Sequence, residues 1–308
     1  MSAVALALLP VFLLIALGYG LRRWLLKRDD EWIGLEKLVY YVLFPALLIE
    51  SLSQANLRAV PVFEVGLSLF LAVVLMALLC LALRPLLSAR LGIDGPAFTS
   101  VFQGSLRWQT FVALAIAANL YGDLGVALAS VAMVAIIPLA NVMCVTVLAR
   151  FAAPQRLAWR AIIITLLRNP LIWACIVGIL FNVTQLPVPK ALHGFVDTLG
   201  RASLATGLLV VGAGLNLRGI LQPRAATLLT VGLKLVLLPA MAIGIALLMH
   251  LSGPNLAVVA CCSSVPAASN AYILARQMGG DAPLLAEILA LQTILAVVTM
   301  PIAIGYAA

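Results

Sequence analysis

Ten apolar runs, each about the length of one membrane crossing, constrain this chain more than any other feature. They cover residues 3–21, 33–52, 62–83, 96–120, 124–148, 161–181, 194–215, 226–249, 256–277 and 284–305. About 20 apolar residues in helical form cross the hydrocarbon core of a bilayer. Hydrocarbon offers backbone amides no partners, so a run of that length crosses as a helix that satisfies its own hydrogen bonds. Composition excludes a soluble alternative: 64% of the residues are hydrophobic and 10% charged, with a mean hydropathy of +1.16, whereas soluble domains carry about 25% charged residues. The expected fold is an all-α polytopic membrane protein with ten transmembrane helices.

Loop charge gives the direction of the crossings. Loops after odd-numbered runs, together with the run ends that border them, hold fourteen lysines and arginines, from Arg22 to Arg276, and loops after even-numbered runs hold Arg58 and Lys190. Basic residues concentrate on the cytoplasmic side, so both termini are expected to be non-cytoplasmic. The same distribution accounts for the net charge of +8 without a nucleic-acid partner. No basic residue precedes the first run and Arg22, Arg23, Lys27 and Arg28 follow it, which reads as a retained helix rather than a cleaved leader.

Ten runs divide into two sets of five, and an odd number per set turns the second set upside down. Gly122-Asp123 and Gly280-Asp281 lie 158 residues apart, and each pair precedes a helix of small residues ending near a proline, Pro138 or Pro301. Weak self-similarity of this kind marks inverted repeats. The expected organisation is a first five-helix repeat over 1–150, a basic cytoplasmic connector over 151–168 and an inverted second repeat over 169–308.

Polar residues inside the runs point to function. In the ninth run Ser263, Ser264, Pro266, Ser269 and Asn270 crowd together. Proline has no N–H and clashes with the carbonyl four residues back, so Pro266 is expected to break the helix. The carbonyls it frees need partners, and hydroxyls nearby are candidates. Broken helices at membrane depth are where secondary transporters bind substrate. The fourth run holds Gln103, Gly104, Ser105, Arg107, Gln109 and Thr110. An arginine at mid-membrane costs about 2.5–3.5 kcal/mol on insertion scales and so faces the bundle interior or a water-filled space. Its planar fork suits a carboxylate; the alternative is an ion pair with Glu50 or Glu64, or a snorkelling side chain. Pro45 is expected to bend the second run.

Glu50, Asn141 and Gln292 are candidates for coupling an ion, proton or sodium. The plainer reading is an interfacial acid for Glu50 and interhelical hydrogen bonds for the two amides. Lys234 and Glu287 are further charges within runs, and the Gly-rich seventh run suits close helix packing through Gly207, Gly212 and Gly214. All five cysteines fall in apolar runs without a C-x-x-C spacing, so neither a metal site nor a cofactor is expected. Asn182-Val-Thr184 matches the glycosylation pattern in an expected outer loop.

Three stretches carry a family resemblance: Phe44-Pro-Ala-Leu-Leu-Ile in the second run, the polar fourth run followed by Tyr121-Gly-Asp, and Pro266-Ala-Ala-Ser-Asn-Ala-Tyr-Ile-Leu-Ala-Arg-Gln-Met-Gly-Gly-Asp in the ninth. With the ten runs, they resemble the auxin efflux carrier family, whose bacterial members are often called malate or malonate permeases. The resemblance covers essentially the whole chain. It implies two inverted five-helix repeats, a scaffold part and a transport part, and fourth and ninth helices crossing at broken midpoints. It also implies transport of small organic anions by an elevator-like motion. On that likeness Gln103, Ser105, Arg107, Gln109, Ser263, Ser264, Ser269, Asn270 and Tyr272 line the substrate site, with helix breaks or bends at Pro45, Gly104 and Pro266. One departure stands out. The family's fourth helix commonly breaks at a proline, and here none lies between Pro96 and Pro138.

The expected partners are a small carboxylate substrate, a coupling proton or sodium ion, membrane lipids and a second copy of the chain as a homodimer. A membrane-embedded enzyme and an anion channel are the competing readings. The first lacks paired acids or histidines for chemistry. The second has no need of broken crossing helices.

Overall fold

The computed structural model describes residues 2–54, 61–152, 170–185, 189–215, 217, 222–268 and 270–308. All secondary structure among them is helical. The helices are α1 Ser2–Trp24, α2 Asp29–Leu38, α3 Phe44–Gln54, α4 Val62–Leu91, α5 Gly95–Leu106, α6 Thr110–Phe151, α7 Pro170–Thr184, α8 Lys190–Ala213, α9 Ala225–Gly232, α10 Leu238–Leu248, α11 Gly253–Ser264, α12 Asn270–Met278 and α13 Ala282–Ala307. Six helical stretches among the described residues are long and apolar enough to cross a membrane, including Val62–Leu91, Ala225–Leu248 and Ala282–Ala307. Another, Gly95–Phe151, runs for 57 residues, far more than one crossing takes. It carries an interruption at Arg107–Gln109 and a kink at Gly122, whose φ of 56° and ψ of −139° are helical for no residue. The connector expected over 151–168 lies, after Ala152, outside the described residues, as does part of the sixth run.

Two prolines widen their helices rather than break them. Pro45 and Pro239 each follow a π-helical turn, Val39–Leu43 and Leu233–Leu237, which joins α2 to α3 and α9 to α10. In each case the residue just before the proline donates to the carbonyl five back: Phe44 to Val39 and Leu238 to Leu233. Proline offers no N–H to the carbonyl four back and its ring crowds that carbonyl; the wider turn absorbs the mismatch while the helix continues. The expected bend at Pro45 is therefore a π turn inside one continuous helix.

The described chain clusters into two compact units, and neither coincides with a half of the sequence. Unit 1 comprises Met1–Val62, Thr110–Val134 and Ile164–Leu215; unit 2 comprises Phe63–Gln109, Ala135–Ile163 and Asn216–Ala308. Each draws on both halves of the chain.

Within unit 1, α1 lies on α8 with backbones in near contact. A Cβ at Gly18 would stand 2.1 Å from the Leu209 carbonyl oxygen, and one at Gly212 would stand 1.8 Å from that of Ile15. Small residues permit this approach, which van der Waals contact rewards in a membrane. Gly207 sits under the Phe44 ring, which stacks on Phe111 with centroids 4.6 Å apart. Glu50 pairs with the His193 imidazole at 2.9 Å, not with an arginine. Asn182 sits near the end of α7, not in a loop, and its amide donates to the carbonyls of Leu52 and Ser53.

Within unit 2, α13 packs on α5, α9, α11 and α12. Glu287 on α13 accepts from the Arg224 backbone and guanidinium and from the Thr227 hydroxyl. Asp281 caps α13 through Leu284 N–H, while its own backbone carbonyl accepts from Ser100 on α5. These contacts tie the first turns of α9 and α13 to α5.

Candidate functional site

Two interrupted helices meet inside unit 2. The first, α5, opens at Gly95-Pro96 under a side-chain cap from Asp94 and ends at Leu106. Arg107 then turns to extended backbone, φ −66° and ψ 154°, and α6 begins at Thr110. The second, α11, opens at Gly253-Pro254 and ends at Ser264, and Val265 turns extended with φ −65° and ψ 149°. Both helices are 12 residues long. Residue 265 follows residue 107 by 158, the offset of the two Gly-Asp pairs.

An interruption leaves backbone groups without their helical partners, and each such group must be paired where water is absent. Pro266 has no N–H for the Cys262 carbonyl, and the Trp108 indole N–H donates to it instead at 2.7 Å. The Gln109 N–H, at the cap position of α6, donates to the Pro266 carbonyl at 3.1 Å. Gln292, fully buried on α13, serves both interruptions at once. Its Nε2 donates to the Gly104 carbonyl at 3.0 Å, and its Oε1 accepts from Ala267 N–H at 2.9 Å. Four hydrogen bonds thus cross-link the two breaks.

The sequence-predicted residues fall into distinct places. Arg107 is 6% exposed, its Nε donates to Gln103 Oε1 at 3.2 Å, and its guanidinium lies against the Cys144 thiol. It pairs with neither Glu50 nor Glu64 in any ion pair of the described residues. Gln103 is fully buried and its Nε2 has no hydrogen-bond partner among the described residues. A buried, unsatisfied donor is uncommon and calls for an explanation. Gln109 is buried too.

The hydroxyls expected to serve freed carbonyls bond within their own helices instead. Ser105 donates to the Val101 carbonyl, Ser263 to Val259 and Ser264 to Ala260. A serine that reaches its i−4 carbonyl needs no outside partner. Tyr272 is half-buried on α12, with the Arg276 guanidinium 6.0 Å from its ring centroid. Ser269 lies outside the described residues, and Asn270 is described only as the first residue of α12.

One further expectation, at Gly104, is corrected. Gly104 does not break its helix; it lies inside α5, two residues before the end. A Cβ there would stand 2.8 Å from both Ile288 Cγ2 and Thr230 Cγ2, so glycine permits close packing and the break falls at Arg107. Gln292 works as an interhelical hydrogen-bonding residue, with both ends of its amide on backbone. Asn141 is half-buried on α6, and Glu50 is held by His193 in unit 1.

Two residues beside the breaks were given no site role from sequence. Trp108 and Lys234 line a cavity of ≈ 10 Å³ in unit 2 together with Leu106, Leu238, Cys262 and Ser263, about the room one water needs. For Trp108 the available signal was its place beside Arg107. For Lys234 it was a lysine within an apolar run.

Comparison with known proteins gives the family of the chain. A family model described as "Membrane transport protein" matches residues 3–153 and 153–304. A protein of Methanothermobacter thermautotrophicus named an uncharacterized transporter is 24% identical over 96% of this chain and 95% of its own length. With apolar helices long enough to cross a membrane and the family model matched nearly end to end, the chain is an integral membrane protein of the membrane transport protein family, the family of the auxin efflux carriers.

Proposed function

We propose that this transporter is a secondary carrier of small organic anions whose substrate site lies at the crossing of its two interrupted helices. The observation that carries the reading is the buried pair Arg107 and Gln103. A guanidinium and an unsatisfied amide donor sit side by side at a break held open by tertiary hydrogen bonds. Both are donors only at those atoms, and a carboxylate accepts from both. Gln109, Ser105, Ser263, Ser264, Ser269, Asn270 and Tyr272 complete the lining in this reading. The hydroxyls of Ser105, Ser263 and Ser264, already donating to their own helices, offer the ligand lone pairs.

The same arrangement supports alternating access by an elevator-type motion. The residues that cross-link the breaks all belong to unit 2, so a unit moving as one body would carry the site intact. The ten crossings form two inverted repeats, and the common offset of 158 residues supports this. Loop charge supports a plasma-membrane protein with both termini outside. Glu50, with His193 beside it, is the stronger coupling candidate for a proton than Asn141, which has no ionisable group.

Uptake into proteoliposomes under imposed pH and sodium gradients tests the reading. Arg107→Ala should lower transport of a carboxylate substrate by 100-fold or more, about 3 kcal/mol at 1.4 kcal/mol per tenfold, while the protein still inserts. Full transport by that variant removes Arg107 from the site. Flux that neither saturates nor follows a gradient of a coupling ion favours the channel reading.

A further inference from the structure

Arg84 directly follows the apolar run 62–83, near the end of α4. A run of about 20 residues takes up the hydrocarbon core, so this half-buried guanidinium stands at headgroup depth. It lies over the Phe151 ring of α6, 4.1 Å from the centroid, and 5.8 Å from the centroid of Phe98 on α5. The two rings meet edge to face at 5.5 Å. A Cβ at Gly95 would stand 2.1 Å from the Phe151 carbonyl oxygen. The end of α4, the start of α5 and the end of α6 thus come together within unit 2. A ring takes up the face of a guanidinium and leaves the N–H groups around its rim to donate elsewhere. Arg84 enters no ion pair and no hydrogen bond among the described residues.

The acids of unit 2 are occupied elsewhere. By sequence they are Glu64, Asp94, Asp281 and Glu287. Glu64 lies in the first turn of α4, at its opposite end. Asp94 caps α5 through Ala97 N–H, and Asp281 and Glu287 share Arg224. Arg150, next to Phe151 in the chain, is exposed and likewise enters no ion pair among the described residues. Leu81 and Leu78, three and six residues before Arg84, are exposed as well. Residues three apart share a helix face, and in a bilayer an exposed apolar face meets acyl chains.

We propose that Arg84 and the Phe151 ring form a headgroup site for an anionic phospholipid. The rim of the stacked guanidinium donates to two oxygens of the lipid phosphate, Arg150 adds a second positive charge, and an acyl chain runs along Leu81 and Leu78. Anionic headgroups attract basic residues at the membrane surface, and the planar fork of arginine fits two phosphate oxygens at once. The apolar face beside Arg84 makes the occupant a lipid and not free phosphate. The inference needs only that α4 crosses the bilayer and does not rest on the carrier reading.

Native mass spectrometry of the purified protein in detergent tests this, with dioleoylphosphatidylglycerol, dioleoylphosphatidylcholine and inorganic phosphate as probes. Wild type should bind phosphatidylglycerol about tenfold more tightly than phosphatidylcholine, and excess inorganic phosphate should not displace it. Arg84→Gln should weaken phosphatidylglycerol binding about tenfold. Arg84→Lys keeps the charge without the fork and should lose about threefold; Phe151→Leu keeps the charge without the ring that orients it and should lose about as much. Arg90→Gln removes a charge from the same end of α4 and should stay within about twofold of wild type, since exposed charges at a distance are screened. Equal losses in Arg84→Gln and Arg90→Gln mean diffuse attraction and overturn the site. So does an Arg84→Lys protein that binds like wild type, a wild type that does not distinguish the two lipids, or displacement of the lipid by phosphate. An Arg84→Gln protein that melts below wild type yet binds phosphatidylglycerol undiminished assigns Arg84 to helix packing alone and overturns it too. Arg84→Lys and Phe151→Leu decide the matter if Arg84→Gln fails to insert.

Discussion

The two interruptions are alike in geometry and unlike in cause. Each follows a 12-residue helix that opens at Gly-Pro, and each begins with a residue at φ near −65° and ψ near 150°. At the second, Val265 precedes Pro266, and a residue before proline is pushed away from the helical region by the ring. The proline also deletes the donor that would have continued the ladder. At the first, the position matching Pro266 holds Trp108, which has a normal N–H and no steric objection to helix. What holds Arg107 extended is tertiary: Trp108 bonds to Cys262, Gln109 to Pro266, and Gln292 to Gly104. One break is written into the local covalent chemistry, and the other is imposed from outside by it. The lesson is that a proline in one helix can shape two, because the carbonyl it orphans on Cys262 recruits the indole that deforms the other.

Substitutions at the breaks separate the imposed interruption from the intrinsic one. The largest effect is expected for Trp108→Ala, which removes a buried ring and leaves the Cys262 carbonyl without a partner. A loss of about 3–5 kcal/mol is typical for such a truncation, read as a lower midpoint in detergent unfolding. Trp108→Phe keeps a ring and drops the donor, so its difference from wild type isolates the indole bond and its difference from Trp108→Ala isolates the ring packing. If Trp108→Ala unfolds like wild type, the indole is not what holds the first break.

Next in size is Gln292→Leu. It strands the Gly104 carbonyl and the Ala267 N–H together, and each buried unpaired group costs about 1–3 kcal/mol. Gln292→Glu sharpens the point. A carboxylate accepts from Ala267 but cannot donate to Gly104, and its protonated form can do both. The stability gap between this variant and wild type should therefore widen as pH rises. A gap that is flat with pH means that the bond to the Gly104 carbonyl contributes little.

The smallest effect is expected for Pro266→Ala. The three tertiary links remain, and the loss should stay within about 0.4–1 kcal/mol, the range set by the chain entropy of the unfolded state. Transport should persist. A helix that closes through residue 266, seen as loss of uptake together with a raised melting point, shows instead that proline alone keeps the second break open.

The same contrast explains what was legible. Helical class and membrane character follow from run length and the absence of charge, which are one-dimensional properties. The break at Val265 follows from Pro266. In the fourth run glycine is the residue that suggests a missing turn at position 104, and the break falls at Arg107. Structure gives Gly104 another task, a close approach to Ile288 and Thr230, which depends on what α9 and α13 bring to it. Ser263 and Ser264 stand where freed carbonyls need partners, but a serine inside a helix reaches its own i−4 carbonyl first. Cross-linking fell to a tryptophan 154 residues from its acceptor and a glutamine 188 residues from its own. Separations of that size leave no local pattern.

From sequence alone came the apolar crossings, their helical state, the charge bias of the loops, the intrinsic break before Pro266 and the buried arginine of the fourth run. These depend on the cost of charge and of unpaired backbone in hydrocarbon, and that cost is fixed residue by residue. Tertiary structure alone decided that α5 ends without a proline, that Gln292 joins the two breaks, and that Lys234 lies buried in the π turn against α5 and α11. Those outcomes depend on which orphaned carbonyl lies within 3 Å or so of which donor, and only the packing of distant helices determines that distance.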